Sequence, residues 1–188
     1  MRVLLTGASG FIGKQVLAQL EHYGIDTVVV GRSSPIEFNG VFIEADLLNQ
    51  DVCQEIIFRA QPTHLLHLAW YAEHGHYWNS HLNLRWVEAT TRLVEAFCTA
   101  GGKHVIVAGT CAEYDWSHGC CREGVTPLMP STLYGTAKNT TRRLVTAVCE
   151  DNGVPWAWGR IFLPFGPGED RRRLIPSMFL RANVHHLV

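Results

Sequence analysis

At 188 residues, with 47% hydrophobic and 18% charged residues, the chain can build one well-buried domain and is short for two. A formal net charge of -1, with no basic run longer than Arg171-Arg172-Arg173, gives no electrostatic case for nucleic acid or an acidic membrane surface. No apolar stretch approaches transmembrane length, so no membrane partner is expected.

The start, Met1-Arg2-Val3-Leu4-Leu5, runs straight into a Gly-rich turn, which leaves no room for the apolar region of a signal peptide. Arg2 to Thr6 is the first predicted strand, and the apolar spacing predicts a helix from about Phe11 to Tyr23. Asp26 to Val30 and Val41 to Glu44 read as strands, followed by a helix over Gln50 to Ala60 and a strand over His64 to Leu68. A long helix is predicted over Asn79 to Ala100, where Leu84, Val87, Leu93, Val94 and Phe97 recur at helical spacing until Gly101-Gly102 stops it. Lys103 to Ala108 is the fifth strand, Thr132 to Glu150 another long helix, and Val154 to Phe162 the sixth strand. Val28-Val29-Val30, His64-Leu65-Leu66-His67-Leu68 and Val105-Ile106-Val107-Ala108 read as strands covered on both sides. Strands alternating with helices predict the α/β class, a doubly wound parallel sheet with helices on both faces.

The cysteines (Cys53, Cys98, Cys111, Cys120, Cys121, Cys149) include no Cys-x-x-Cys pair and no metal-ligand spacing. A domain with its own core has little need of disulfides, so reduced thiols and the cytoplasm are expected. His74, His76 and His81 lie in a Tyr/Trp/Gly/Asn-rich stretch without regular helical pairing, and read as solvated or substrate-loop histidines rather than metal ligands.

Thr6-Gly7-Ala8-Ser9-Gly10-Phe11-Ile12-Gly13 falls where a strand turns into a helix. Small residues there let the backbone approach a pyrophosphate, and the free N–H groups of a helix start favour its charge. Gly7, Ser9, Gly10, Phe11, Ile12 and Gly13 are therefore the expected dinucleotide contacts. An acid at the end of the second strand would bind a ribose 2′-hydroxyl, whereas this chain has Gly31-Arg32-Ser33-Ser34, and Arg32 suits a 2′-phosphate. NADP(H) is favoured, with NAD(H) the alternative. Asp46, beside Leu47 after the third strand, is either an adenine acceptor or a turn-capping residue.

Tyr134 and Lys138, four apart, share one face of a helix. A free phenol has a pKa near 10, and a neighbouring ammonium, with the positive ring of an oxidised nicotinamide, is expected to lower it toward useful general acid/base chemistry. At the end of strand five, Thr110 is the hydroxyl expected to orient a substrate oxygen, and Cys111 reads as a packing residue rather than a nucleophile.

Gly7-x-x-Gly10-x-x-Gly13, His67-Leu68-Ala69, Asn83, Thr110 four residues before Tyr114, and Tyr134-x-x-x-Lys138 together resemble the extended short-chain dehydrogenase/reductase family. That family includes nucleotide-sugar epimerases, 4,6-dehydratases and 4-keto reductases. The segment Arg160-Ile161-Phe162-Leu163-Pro164-Phe165-Gly166-Pro167-Gly168 is similar to the family's segment after strand six. The resemblance implies a Rossmann domain over residues 1–170 and the start of a truncated substrate-binding domain over 171–188. It also implies Thr110, Tyr134 and Lys138 as the catalytic triad, with Lys138 on the nicotinamide ribose. Gly7, Gly10 and Gly13 would take the pyrophosphate and Asp46 the adenine. Leu68 and Ala69 would line the cofactor, Asn83 would support the centre, and Pro164 would lie near the carboxamide.

Where 4,6-dehydratases carry Asp-Glu after the catalytic threonine, this chain has Cys111-Ala112, which disfavours dehydration. Leu163 stands where many epimerases have an asparagine that touches the nucleotide. The expected activity is therefore NAD(P)-dependent hydride transfer on a nucleotide-linked sugar, by an epimerase or 4-keto reductase. A catalytically silent cofactor-binding module is the alternative. The helices over Asn79–Ala100 and Thr132–Glu150, with Trp86 among their bulky residues, are expected to pair across a two-fold axis in a homodimer.

Overall fold

The computed structural model describes residues 1–36 and 38–184. The aliphatic runs form six strands: β1 (Arg2–Thr6), β2 (Asp26–Gly31), β3 (Val41–Glu44), β4 (His64–His67), β5 (His104–Thr110) and β6 (Trp156–Ile161). All the pairings are parallel, in the order β3-β2-β1-β4-β5-β6. Between them run α1 (Phe11–His22), α2 (Val52–Ala60), α3 (Leu82–Thr99) and α4 (Leu133–Asp151), and α5 (Leu174–Val184) follows β6. The strand order reverses between β1 and β4, so the carboxyl ends of these two strands open a crevice, the usual ligand position in such sheets.

Alternation along each strand divides the core between the two faces. Leu4, Val28, Val30, Leu65, Val105 and Val107 pack with Ile56 of α2, Leu93 and Phe97 of α3, and Val145 of α4. On the opposite face Leu5 and Val29 meet Leu17 of α1. Each such fully buried aliphatic or aromatic side chain contributes about 1.5–3 kcal/mol of transfer free energy, so the two clusters fix the register of the central strands. Helices thus flank both faces of the β1–β2 half. On the α1 side of the other half Ile106 is 41% exposed, and Ala157 and Gly159 are also open.

Several element ends shift by one to three residues from expectation, and two of the shifts have a visible cause. The predicted helix over Asn79–Ala100 begins only at Leu82, after a 3₁₀ turn over Tyr77–Asn79. The cause is polar capping: Asn83 Nδ2 donates to the carbonyls of Tyr77 and Ser80, and Ser80 Oγ accepts from Leu82 N. Strand β5 runs two residues past Ala108, because Gly109 and Thr110 continue pairing with Arg160 and Ile161 of β6. That extension carries Thr110 to the rim of the sheet.

Candidate active site

A cleft of about 1150 Å³ opens along the carboxyl ends of the strands. One wall is the turn from β1 into α1, where Gly7, Ser9, Gly10, Phe11, Ile12 and Gly13 all face the opening. The turn is built from backbone. Gly7 has φ +75°, and a Cβ there would lie 2.6 Å from Ala69 N. A Cβ on Gly13 would lie 1.9 Å from the Gly7 carbonyl oxygen. Helix α1 starts with no side-chain cap, so its leading N–H groups are available to an anion. Arg32, exposed, stands on the same cleft at the end of β2 with Ser33. Asp46 and Leu47 also line it, and Asp46 Oδ1 accepts from Leu48 N at 3.0 Å, so the turn role is present whatever else the carboxylate does.

Thr132 caps α4 by accepting from Gly135 N at 3.1 Å, and the first turns of the helix then present Tyr134 and Lys138 to the cleft. Thr110 lines the same cleft, and its side chain acts on the Tyr134 phenol. Three aromatic rings stand edge-on to Tyr134: Tyr77 at 4.8 Å, Trp78 at 5.8 Å and Trp70 at 6.5 Å between centroids. Burial in this cage pushes the phenol up to about 12, against the opposing effect of Thr110. The sequence-based expectation that Lys138 lowers the phenol is corrected here. Lys138, itself buried, donates to the Ala108 carbonyl at 2.8 Å and lies 3.9 Å from the centre of the Trp70 ring. Burial pulls its ammonium down to about 7, opposed by the charge of Glu113. Desolvation is the larger cause at both side chains.

Behind the wall are side chains that reading the sequence for site residues had passed over. Glu113, fully buried, accepts from Thr110 N at 2.8 Å, Trp158 Nε1 at 2.9 Å and Arg160 Nε at 2.9 Å. This ties Thr110 to β6. The available signal was the alternation Trp158-x-Arg160 on a strand neighbouring Glu113, which puts two donors on one face. Thr6 Oγ1 accepts from Leu68 N and Ala69 N and meets His67 Nδ1 at 2.8 Å, while His67 Nε2 meets Thr90 Oγ1 at 2.9 Å. The two amide donors leave Thr6 to donate onward, so His67 Nδ1 accepts and Nε2 carries the proton. Burial depresses this ring to about 3. The network positions Leu68 and Ala69, both on the cleft.

Asn83, fully buried, lies off the cleft: its Oδ1 accepts from Trp70 Nε1 at 2.8 Å and its amide holds the 3₁₀ turn. Its role toward the cleft runs through Trp70, the ring beneath Lys138. Trp86 also turns inward, with its ring 6.0 Å from that of Trp70. Pro164 and Leu163 line the cleft beyond β6, with Leu163 81% exposed. Burial raises the Cys111 thiol, consistent with a packing role. All six cysteines carry free thiols. Among the described residues no group of three or more His, Cys, Asp or Glu could hold a metal ion, and no helix is long and apolar enough to cross a membrane.

The family model described as NAD dependent epimerase/dehydratase matches residues 3–187. A dTDP-6-deoxy-L-talose 4-dehydrogenase (NAD(+)) of Aggregatibacter actinomycetemcomitans is 32% identical over 151 residues, covering 76% of this chain and 53% of the relative. An uncharacterized UDP-glucose epimerase of Bacillus subtilis is 27% identical and covers 100% of the chain and 63% of its own length. The chain thus spans only about half to two thirds of these relatives. Among solved structures, MoeE5 in complex with UDP-glucose and NAD matches with a TM-score of 0.78 at 27% identity, over 97% of this chain and 62% of that one. TunA, an NAD dependent NDP-hexosamine 5,6-dehydratase, matches with 0.80 at 25% identity, over 99% and 62%.

Proposed function

The chain belongs to the NAD dependent epimerase/dehydratase family, and from that premise we propose that it acts on a nucleotide-linked sugar as an epimerase or 4-keto reductase. The observation carrying this reading is that Thr110, Tyr134 and Lys138 come together on one wall of the cleft. A nicotinamide dinucleotide with its pyrophosphate on the Gly-rich wall would supply the hydride acceptor or donor. Tyr134 Oη exchanges the proton of the sugar hydroxyl or carbonyl, Thr110 orients that oxygen, and Lys138 holds the nicotinamide ribose. Elimination of water is disfavoured, because Cys111 and Ala112 offer no acid–base pair and Glu113 is committed to Arg160 and Trp158. Tyr134→Phe keeps the ring packing and should leave cofactor affinity unchanged while lowering turnover about 10²- to 10⁴-fold. Equal turnover by the variant would refute the role of the phenol.

One observation favours a second reading, a cofactor-binding module without catalysis: three aromatic rings crowd the Tyr134 phenol. Wild-type protein that binds cofactor yet turns over no nucleotide sugar selects that reading.

For the cofactor itself, Arg32 at the lip and the absence of a carboxylate at Gly31 support tighter binding of NADP(H) than of NAD(H). Residues 1–170 are read as the cofactor-binding part, and 171–188 as the opening of the substrate-binding part, since Leu174 and Ile175 of α5 reach the cleft. Helices α3 and α4 are the proposed homodimer surface. With Trp86 turned inward, Leu84 (53% exposed) and Leu144 (40% exposed) are the apolar residues left for it. Sedimentation at micromolar concentration should give a dimer, and monomer alone would remove the proposal.

A further inference from the structure

Glu169 lies on the segment between β6 and α5 and faces the cleft. Its side chain is 5% exposed, and among the described residues Oε2 meets no donor. The nearest cation, Arg173 Nη1, stays 3.9 Å from Oε1, beyond hydrogen-bond reach. A carboxylate accepts about four hydrogen bonds, and leaving one desolvated and unmet costs about 1–3 kcal/mol or more. Glu113 shows how the same side chain is treated when its role is to hold the fold: several donors converge on it. Glu169 has been desolvated with one long ion pair, to Arg173, in their place.

The donor it lacks can be placed and typed. The segment carrying Glu169 leaves the sheet at Ile161, which pairs with Thr110, and its neighbour Arg173 acts on Tyr77, whose ring is edge-on to Tyr134. Glu169 therefore belongs to the Tyr134 end of the cleft rather than to the Gly-rich end. An anionic diphosphate would be repelled by it, whereas a neutral hydroxyl donor fits. Resting on the nucleotide-sugar reading, we propose that Glu169 is a substrate-binding residue whose carboxylate accepts a hydrogen bond from a hydroxyl of the sugar ring.

The test compares wild type and Glu169→Gln as full chains, by thermal melting and by calorimetric titration with NAD, then with UDP and UDP-glucose on the NAD-loaded protein. Relief of an unmet buried charge should raise the melting temperature of the free variant by about 2–4 °C. Its UDP-glucose affinity should fall about tenfold or more, with UDP and NAD affinities unchanged. A variant that melts lower or fails to fold has lost a structural contact, and overturns the assignment. So does undiminished UDP-glucose affinity, and so does a loss confined to the NAD titration, which would identify the nicotinamide carboxamide as the donor. Wild type that binds neither UDP nor UDP-glucose overturns the nucleotide-sugar reading together with the assignment.

Discussion

The two ends of the cleft keep their charges in different surroundings. At the Gly-rich end Arg32 stands exposed, and the rest of that wall is backbone shaped by glycine. At the Tyr134 end Lys138 and Glu113 are 3% and 0% exposed, roofed by tryptophan and tyrosine rings. The same kinds of ionic group therefore carry different weights. A wet guanidinium tunes affinity for a ligand, while a dry carboxylate or ammonium is bound up with the stability of the fold itself.

The largest effect expected within this contrast is at Glu113. Glu113→Ala leaves Arg160 Nε, Thr110 N and Trp158 Nε1 without their acceptor, with the 12% exposed Arg160 keeping only the exposed Glu123, and should cost about 3–5 kcal/mol in urea unfolding. A loss no larger than that for an exposed pair, such as Arg59 with Glu55, would show the two ends to be alike.

An effect of a few kcal/mol is expected from pH. Lys138 is pulled down to about 7 in the fold from its ordinary 10.5. Between those values the unfolded chain keeps a proton that the folded one has released, so this lysine makes stability rise as pH rises from about 7 toward 10. Tyr134, raised to about 12 from 10, keeps its proton in the fold after the unfolded chain has lost it, and so reverses the trend above pH 10. Denaturation series on wild type and Lys138→Met across this range should show the rising limb only in wild type; the same limb in both proteins would exclude Lys138 as its source.

The smallest effect belongs to the wet end. Arg32→Ala should lower NADP(H) affinity about tenfold, leave NAD(H) affinity near wild type, and leave the melting temperature of the free protein unmoved. Fluorescence titration with both cofactors reads this directly. Equal binding of the two by wild type removes the premise, and a large drop in stability would make Arg32 a structural residue.

Legibility in the sequence follows the same division. The Gly-rich turn was readable because its requirement is steric and local: glycines at fixed offsets between a strand and a helix leave few other uses. Tyr134 and Lys138 were readable as a pair on a helix face, but their electrostatics were not. The sign of the phenol shift depends on Trp70, Tyr77 and Trp78, which reach Tyr134 only after the segment between β4 and α3 has folded over it. Trp86 looked like an outward residue of a long helix, and only the stacking on Trp70 shows that it belongs to the interior. Strand positions were largely fixed by aliphatic runs. Their ends shifted where pairing or capping, rather than hydropathy, decides termination.

The chain of hydrogen bonds through Thr6, His67 and Thr90 has a polarity. Two backbone amides donate into Thr6, which leaves its proton only one way to point, and every later member inherits that direction. A second proton on His67 would have to displace the one arriving from Thr6, and burial already holds the ring neutral down to about pH 3. The loop carrying Leu68 and Ala69 is consequently deaf to acidification across the physiological range, even though it hangs from a histidine. The proton exchange proposed at Tyr134 would leave this part of the cleft floor in a single protonation state.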